Sequence, residues 1–336
     1  MKVASENHPN GYQDDACGEL GVMYYSGQGC AEDFAQAEAW WKRGADKFRG
    51  VRCANTLAIF YQQDEYRDMA QAVKYLRLAD KYGDEDAIAT LGQLYAENGN
   101  MTQAMECYQQ MIDKGQADGY YYLGIIYDNQ GDAKTCNKLL AQGEKKGSKL
   151  AAAAMGTIYE NGLDGTKVDY KKAVAYYEKS ENAKALYNAG RIYLFGNMGK
   201  KGVASEADIA KGLALINQAA DQGLIDAIYS LGYFYETGEY VDTVDHVKAV
   251  SYFSPLAEMG VAAGQFKMGL YYELGDGGIE ADSAGACKHI SVPLCTVHFM
   301  NVPGKQPLQS LFPVHRNSQM SRQAVPASER NDAQNL

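Results

Sequence analysis

Small, apolar and aromatic residues recur along the chain with a period that predicts paired helices. The clearest copy is ALYNAGRIYL, in which Gly190 follows Ala185 by five positions and precedes Tyr193 by three. Positions −5, −1, 0 and +3 about this glycine lie near one face of a helix with 3.6 residues per turn. The pattern therefore predicts a glycine that packs one helix against another. A phosphate-binding loop would need its glycines between a strand and a helix.

This motif occurs eight times. Every copy has a tyrosine three residues after its anchor and a small residue five residues before it. The anchors are Gly21, Ala58, Gly92, Gly124, Gly156, Gly190, Gly232 and Gly269. Self-similarity at this spacing is typical of repeat architectures, in which each unit buries its apolar face only against its neighbours.

A second motif follows each copy of the first, with an acidic or amide residue four positions before a small residue. The polar positions are Asp33, Asp68, Asn100, Asp132, Asp169, Asp208, Asp245 and Asp282. They are predicted to cap the N-terminus of a second helix, where such a cap contributes about 1 kcal/mol. Five glycines are expected to end these second helices at the C′ position. They are Gly83, Gly115, Gly147, Gly223 and Gly260.

The combined pattern is A-x-x-x-L-G-x-x-Y, a glycine-containing loop, then D-x-x-K-A-x-x-Y-(Y/F)-x-x-A-A-x-x-G. It resembles the Sel1-like repeat (SLR) family, a branch of the tetratricopeptide superfamily, most closely over 227–260, 151–180 and 16–45. The resemblance implies an all-α fold, a right-handed α-solenoid of about eight helix-turn-helix repeats spanning residues 11–290. It also implies a non-enzymatic scaffold whose partner is a protein or peptide.

Both ends of the chain depart from the repeat pattern. Residues 1–10 are expected to form a separate N-terminal segment. The second motif stops after Ala286, and five of the seven prolines lie beyond residue 290. Because prolines at this density interrupt helices, residues 291–336 are predicted to be an irregular or disordered tail.

Composition narrows the possible partners and compartments. A net charge of −10 argues against nucleic-acid binding, which needs a basic face. No apolar run approaches 18 residues, so no membrane insertion is expected. The seven cysteines do not recur in register, and no secretory signal is visible, which together favour reduced thiols and a cytoplasmic location. A secreted or periplasmic location stays open if an N-terminal signal has been lost.

Sequence motifs for catalysis are missing, so neither an enzyme nor a cofactor is expected. Cys287, His289, Cys295 and His298 could ligate zinc, but their C-x-H and C-x-x-H spacing is poor and no metal site is predicted. Two alternatives remain. Cysteine-rich members of the resembled family imply a hydrolase or binding protein for β-lactams or cell-wall fragments, and the other alternative is a secreted host-interaction protein.

In the tetratricopeptide geometry, first-helix positions −3, +1 and +4 from the anchor face an inner groove. The predicted partner-binding residues at these positions are Tyr121, Asp128, Glu160, Tyr187, Arg191, Tyr229, Tyr233, Glu236 and Glu273. Aromatic rings supply contact area and carboxylates select basic groups, so the concave groove is expected to bind a basic or amphipathic peptide. The alternative is that some of these tyrosines only pack between neighbouring first helices. The sequence leaves the oligomeric state open.

Overall fold

A computed structural model describes residues 12–286 apart from positions 164, 197, 199–202 and 283. The described residues are mainly helical, with no β-strand among them, and form two compact units that divide between Thr243 and Val244. The predicted all-α class is therefore confirmed. The segments 1–10 and 291–336 lie outside the described residues, as do Cys287, His289, Cys295 and His298.

The helices of the first unit follow one another as hairpins. They are α1 Gln13–Ser26, α2 Phe34–Lys42, α3 Val51–Phe60, α4 Met69–Lys81, α5 Ala87–Glu97, α6 Met101–Asp113, α7 Asp118–Asn129, α8 Ala133–Lys145, α9 Lys149–Asn161, α10 Tyr170–Ser180, α11 Ala183–Leu194, α12 Glu206–Asp221 and α13 Ile225–Thr237. The second unit contains α14 His246–Glu258 and α15 Ala262–Leu274. Odd-numbered helices carry the first motif and are called first helices; even-numbered helices carry the second motif and are called second helices. A π-helical turn, Arg43–Lys47, follows α2, and a short 3₁₀ turn, Asp64–Tyr66, follows α3.

The anchor glycines bring the two helices of a hairpin together, as the sequence predicted. A methyl group on Gly190 would lie 2.6 Å from Ile216 Cγ1 and 2.8 Å from the carbonyl oxygen of Gly212. One on Gly156 would lie 2.5 Å from the ring of Tyr177. These separations are shorter than van der Waals contact, so close packing of first against second helix requires glycine here.

The tyrosine three residues after each anchor fills the space beside this contact. The ring of Tyr61 is 6% exposed and stacks on Tyr75 with 6.0 Å between centroids, while its hydroxyl donates to Glu38. Tyr159 stacks on Tyr176 in the same way at 5.6 Å. A ring with a polar tip suits this position because its body is buried and its hydroxyl reaches the rim.

Most of the predicted N-caps are confirmed. Five carboxylates accept a hydrogen bond of 2.9–3.1 Å from the backbone N–H three residues later, those of Asp33, Asp68, Asp132, Asp169 and Asp245. Asn100 is the N-cap residue before α6 but its side chain accepts no such bond, and Asp282 accepts from the N–H of Ala284.

The prediction for Asp208 was wrong. Ser205 is the N-cap of α12: its Oγ accepts from Asp208 N–H at 3.2 Å, and the Asp208 carboxylate accepts from Ser205 N–H at 3.1 Å. This is a capping box, in which the acid occupies the third helical position. The longer connection before α12 lets the helix begin three residues earlier than the repeat register predicts.

The five C′ glycines all have positive φ, between 78° and 100°. The equivalent position after α2 is Arg49 and after α10 is Glu181, each four residues before the small residue of the next first helix. Their φ angles are 55° and 54°. A side chain in this left-handed conformation costs roughly 1–2 kcal/mol relative to the right-handed one. Two of the hairpins therefore have a charged residue at the C′ position where the other described hairpins that reach this position have glycine.

Candidate partner-binding face

The predicted contact positions of the first unit lie on α7, α9, α11 and α13. We call this surface the first-helix face. Consecutive first helices touch directly here: Lys184 Nζ of α11 lies 2.6 Å from the Asp226 carboxylate of α13. Since positions three and four apart share one side of a helix, each first helix contributes a stripe of side chains to this surface.

On α7, Tyr121 and Asp128 are two turns apart and differ in burial. Tyr121 is half-buried, forms a T-shaped contact with Tyr122 at 5.3 Å, and packs against a core cluster that includes Met155. Burial raises the pKa of the Tyr121 hydroxyl. Asp128 is exposed and has no ion pair with any residue that the structure describes. This end of the face thus combines an anchored ring with a free carboxylate.

The side chain of Glu160 on α9 is held in place by a residue of the next helix. The Tyr177 hydroxyl of α10 donates to its carboxylate at 2.5 Å and lies 3.2 Å from Thr157 Oγ1. Tyr177 is 1% exposed, and its pKa is raised by burial and then by the Glu160 charge. Because the phenol keeps its proton, it remains a donor that fixes the half-buried carboxylate on the first-helix face.

Tyr187 is the predicted contact that the structure removes from the surface. Only 4% of it is exposed, and its hydroxyl lies 3.0 Å from Ser230 Oγ on α13. Ser230 donates its own proton to the carbonyl oxygen of Asp226 at 2.7 Å, so Tyr187 is the donor to Ser230. Tyr187 therefore packs between neighbouring first helices, the alternative that the sequence left open.

Arg191 lies one turn beyond Tyr187 on α11 and is half-buried. Its guanidinium is 5.8 Å from the centroid of the Tyr187 ring and 5.5 Å from that of Phe195. A cation over two rings gains up to about 1 kcal/mol at a partly exposed site. Arg191 thus adds a positive charge to a surface made otherwise of rings and carboxylates.

The densest group of predicted contacts lies on α13. Tyr229, Tyr233 and Glu236 are half-buried along one stripe of the helix. Burial, followed by the Glu236 charge, raises the pKa of Tyr229 to about 12. Burial, followed by the charges of Glu239 and Glu236, also raises the pKa of Tyr233. The two acids therefore lie close enough to the rings to affect them electrostatically.

The structure extends this group beyond the helix. Tyr240 follows α13, forms a T-shaped contact with Phe234 at 5.2 Å, and has its pKa raised to about 12 by burial and by Glu239. The repeat pattern missed Tyr240 because it lies past Gly238, outside the register. We call Tyr229, Tyr233, Glu236, Glu239 and Tyr240 the acid–aromatic cluster.

Glu273 belongs to the second unit. It is exposed near the end of α15. In the same unit, His246 Nδ1 at the start of α14 lies 2.5 Å from the Asp276 carboxylate, which follows α15. The structure thus joins α14 to the segment after α15, and Glu273 lies close to that junction in sequence.

A cleft of about 500 Å³ also opens between α10, α11 and α12. Its polar lining includes Glu178, Glu181 and Lys211, and its floor includes Leu186. Glu178 and Lys211 pair at 2.8 Å across it, and Glu181 pairs with a lysine of α9 at 2.7 Å. These charges are therefore satisfied internally, in contrast with Asp128.

Other chemistry is sparse in the described part of the chain. It contains no group of three or more side chains placed to hold a metal ion, and no helix there is long and apolar enough to cross a membrane. The described cysteines form no disulfide with one another; Cys30 is exposed, and the others, Cys17, Cys53, Cys107 and Cys136, are buried.

The fold and this surface define a helical-repeat protein whose first helices present rings and charges to solvent. The Sel1 repeat model matches residues 14–47, 52–79, 91–116, 149–182, 183–224, 225–261 and 262–289. This is more than half of the chain, which therefore belongs to the Sel1 repeat family. Repeats of this family typically act as protein–protein interaction modules.

Two solved structures share the fold. A Sel1 repeat protein from Oxalobacter formigenes is 19% identical, with a TM-score of 0.54 over 86% of this chain and 84% of that one. A protective antigen of uropathogenic Escherichia coli strains, which displays an SLR fold, is 23% identical, with a TM-score of 0.51 over 82% of this chain. The present chain spans 60% of that antigen's chain. Both likenesses support a solenoid of helix hairpins.

Proposed function

We propose that this protein is a non-enzymatic scaffold that holds a basic or amphipathic segment of a partner protein on its first-helix face. The acid–aromatic cluster of α13 carries the proposal. It sets half-buried tyrosine rings beside two carboxylates, which is the combination that binds a side chain with an apolar stem and a cationic end.

Two features on earlier first helices continue the same chemistry. Asp128 of α7 is an exposed carboxylate without an ion pair in the described ranges, and Glu160 of α9 is oriented by the Tyr177 hydroxyl. A carboxylate that is already fixed loses less conformational entropy when a partner binds. The net charge of −10 also favours the approach of a basic segment from a distance.

The direct test is a titration with a dye-labelled amphipathic peptide of lysine and leucine, followed by fluorescence anisotropy. The wild-type chain is expected to bind it, with an affinity that falls as salt rises. Replacing a central ring and its neighbouring acid, Tyr233→Ala with Glu236→Gln, is expected to weaken binding about ten-fold.

The matched control makes the same chemical changes on second helices, Tyr170→Ala with Glu206→Gln. Tyr170 begins α10, and Glu206 begins α12. Affinity within a factor of about two of the wild type is expected for this variant. Equal weakening by the two double variants, or the lack of any binding by the wild type, would refute the proposed site.

A further inference from the structure

A second charged surface lies near the start of the chain. Residues 40–52 contain five basic residues and one acid, in a protein whose net charge is −10. The structure gathers several of them with aromatic rings at the end of α2, in the π-helical turn and in the loop before α3. We call this group the basic–aromatic patch; its members are Trp40, Arg43, Lys47, Phe48, Arg49 and Tyr82.

Rings hold the cations of the patch. The Arg43 guanidinium is 5.2 Å from the ring centroid of Trp40 and 6.0 Å from that of Phe48. Lys47 Nζ is 5.5 Å from the same Phe48 centroid. Trp40 and Phe48 also pack against the core, so these contacts fix the cations relative to the fold.

The one acid within residues 40–52 has partners outside the patch. Asp46 lies 3.8 Å from Lys74 Nζ and accepts a hydrogen bond from the Tyr75 hydroxyl at 3.3 Å. Lys47 and Arg49 are exposed and have no ion pair within the part of the chain that the structure describes. Two cations are thus available to a ligand beside half-buried aromatic rings.

The backbone at Arg49 is strained to keep a side chain there. Arg49 occupies the position at which five other second helices end on glycine, and its φ is 55°. Its guanidinium lies 5.4 Å from the Tyr82 ring, which follows the next second helix. Glycine would remove the strain and also the cation, so arginine here places a charge at a cost in backbone energy.

We propose that the basic–aromatic patch binds a short carboxylate-rich segment of a second partner protein. Arginine and tryptophan are the residues that contribute most to protein interfaces, and the guanidinium fork matches a carboxylate in geometry. A long polyanion such as nucleic acid is disfavoured because few cations are offered and the remaining charge of the protein repels it. The scaffold then carries two surfaces of opposite charge, and the second stands independently of the first.

A dye-labelled octa-glutamate peptide tests this inference by fluorescence anisotropy at low salt. The full chain is expected to bind it, and Lys47→Gln with Arg49→Gly is expected to weaken binding about ten-fold. Glycine suits the positive φ, so the variant should fold with an unchanged or higher melting temperature. Lys171→Glu changes the net charge by the same amount on an exposed residue of α10 and should leave affinity within about two-fold.

Tryptophan emission gives a second measurement, since Trp40 is one of only two tryptophans. Octa-glutamate should change this emission in the wild type, and much less in the double variant. Equal affinity of the double variant and the Lys171→Glu control would overturn the proposal. A twelve-nucleotide oligothymidylate that binds as tightly as octa-glutamate would overturn the carboxylate assignment. Neither result would alter binding of the lysine–leucine peptide on the first-helix face.

Discussion

Gly190 and Gly124 occupy the same register position, but their surroundings differ. An added methyl at Gly190 would collide with Ile216 and with the backbone of Gly212. At Gly124 the nearest atoms would be 3.6 Å away, an ordinary contact. The repeat pattern predicts that both residues pack helices, but the space around each glycine depends on the side chains of the facing helix.

This difference predicts opposite outcomes for one substitution. Gly190→Ala should lower the free energy of unfolding by about 1–3 kcal/mol, because the extra methyl forces α11 and α12 apart. Gly124→Ala should be neutral or raise it by up to about 1 kcal/mol, because alanine is the better helix former. Urea unfolding followed by circular dichroism measures both, and equal effects would contradict the packing role of Gly190.

Tyr187 shows that the repeat pattern does not specify the exposure of an individual side chain. It shares position −3 with Tyr121 and Tyr229, and sequence register treats the three alike. Ser230 on the neighbouring first helix offers Tyr187 a small buried acceptor, and the ring is enclosed. Exposure at this position depends on the side chain opposite, which varies from repeat to repeat.

At the scale of helices, the sequence predicted the hairpins well. The small-residue and tyrosine spacing identified the first helices, and the aspartate row identified most second helices. Residues 117–148 are not matched by the family model, yet α7 and α8 form a hairpin there. The helical periodicity of this hairpin is intact. The start of α12 was mispredicted because the capping box at Ser205 lies outside the register.

The ends of the second helices give a clean measure of backbone strain. Gly147 has a φ of 94°, and a methyl there would meet nothing within 4 Å. Gly147→Ala should therefore lower the free energy of unfolding by about 1–2 kcal/mol through conformation alone. Glu181→Gly should leave thermal stability unchanged or higher, because it relieves the φ of 54°. A lower melting temperature for Glu181→Gly would mean that its exposed ion pair with Lys149 outweighs the strain.

The N-caps also predict that the stability of the folded protein depends on pH. Hydrogen bonds from Thr135 lower the pKa of Asp132, and those from Ser205 lower the pKa of Asp208. A carboxylate whose pKa is lowered by folding stabilises the protein at pH values above its ordinary pKa of 3.8. That stability is lost as the pH falls through the folded-state pKa. The urea midpoint should therefore drop between about pH 5 and pH 2.5. The drop should be smaller in Asp132→Asn with Asp208→Asn, since an amide still accepts the bonds; an equal drop would assign it to other groups.

At the scale of the whole molecule, the two proposed surfaces differ in how readily sequence reveals them. The first-helix face follows from repeat register, so most of its residues were predicted. The basic–aromatic patch combines the end of α2, a π-helical turn and Tyr82 from the next hairpin. Its defining contacts join residues from two hairpins, and no single motif contains them. Tyr240 was missed for the related reason that it lies in a connection.

Central to the proposed function is the binding of partners to the first helices, while the repeat landmarks hold the hairpins together. Hydroxyl-radical footprinting of the full chain, alone and saturated with the lysine–leucine peptide, tests this directly because tyrosines are plentiful reporters. We predict that oxidation of Tyr229 and Tyr233 on α13 slows markedly on binding, while that of Tyr170 on α10 stays the same. Protection of Tyr170 with Tyr233 unchanged would contradict the claim.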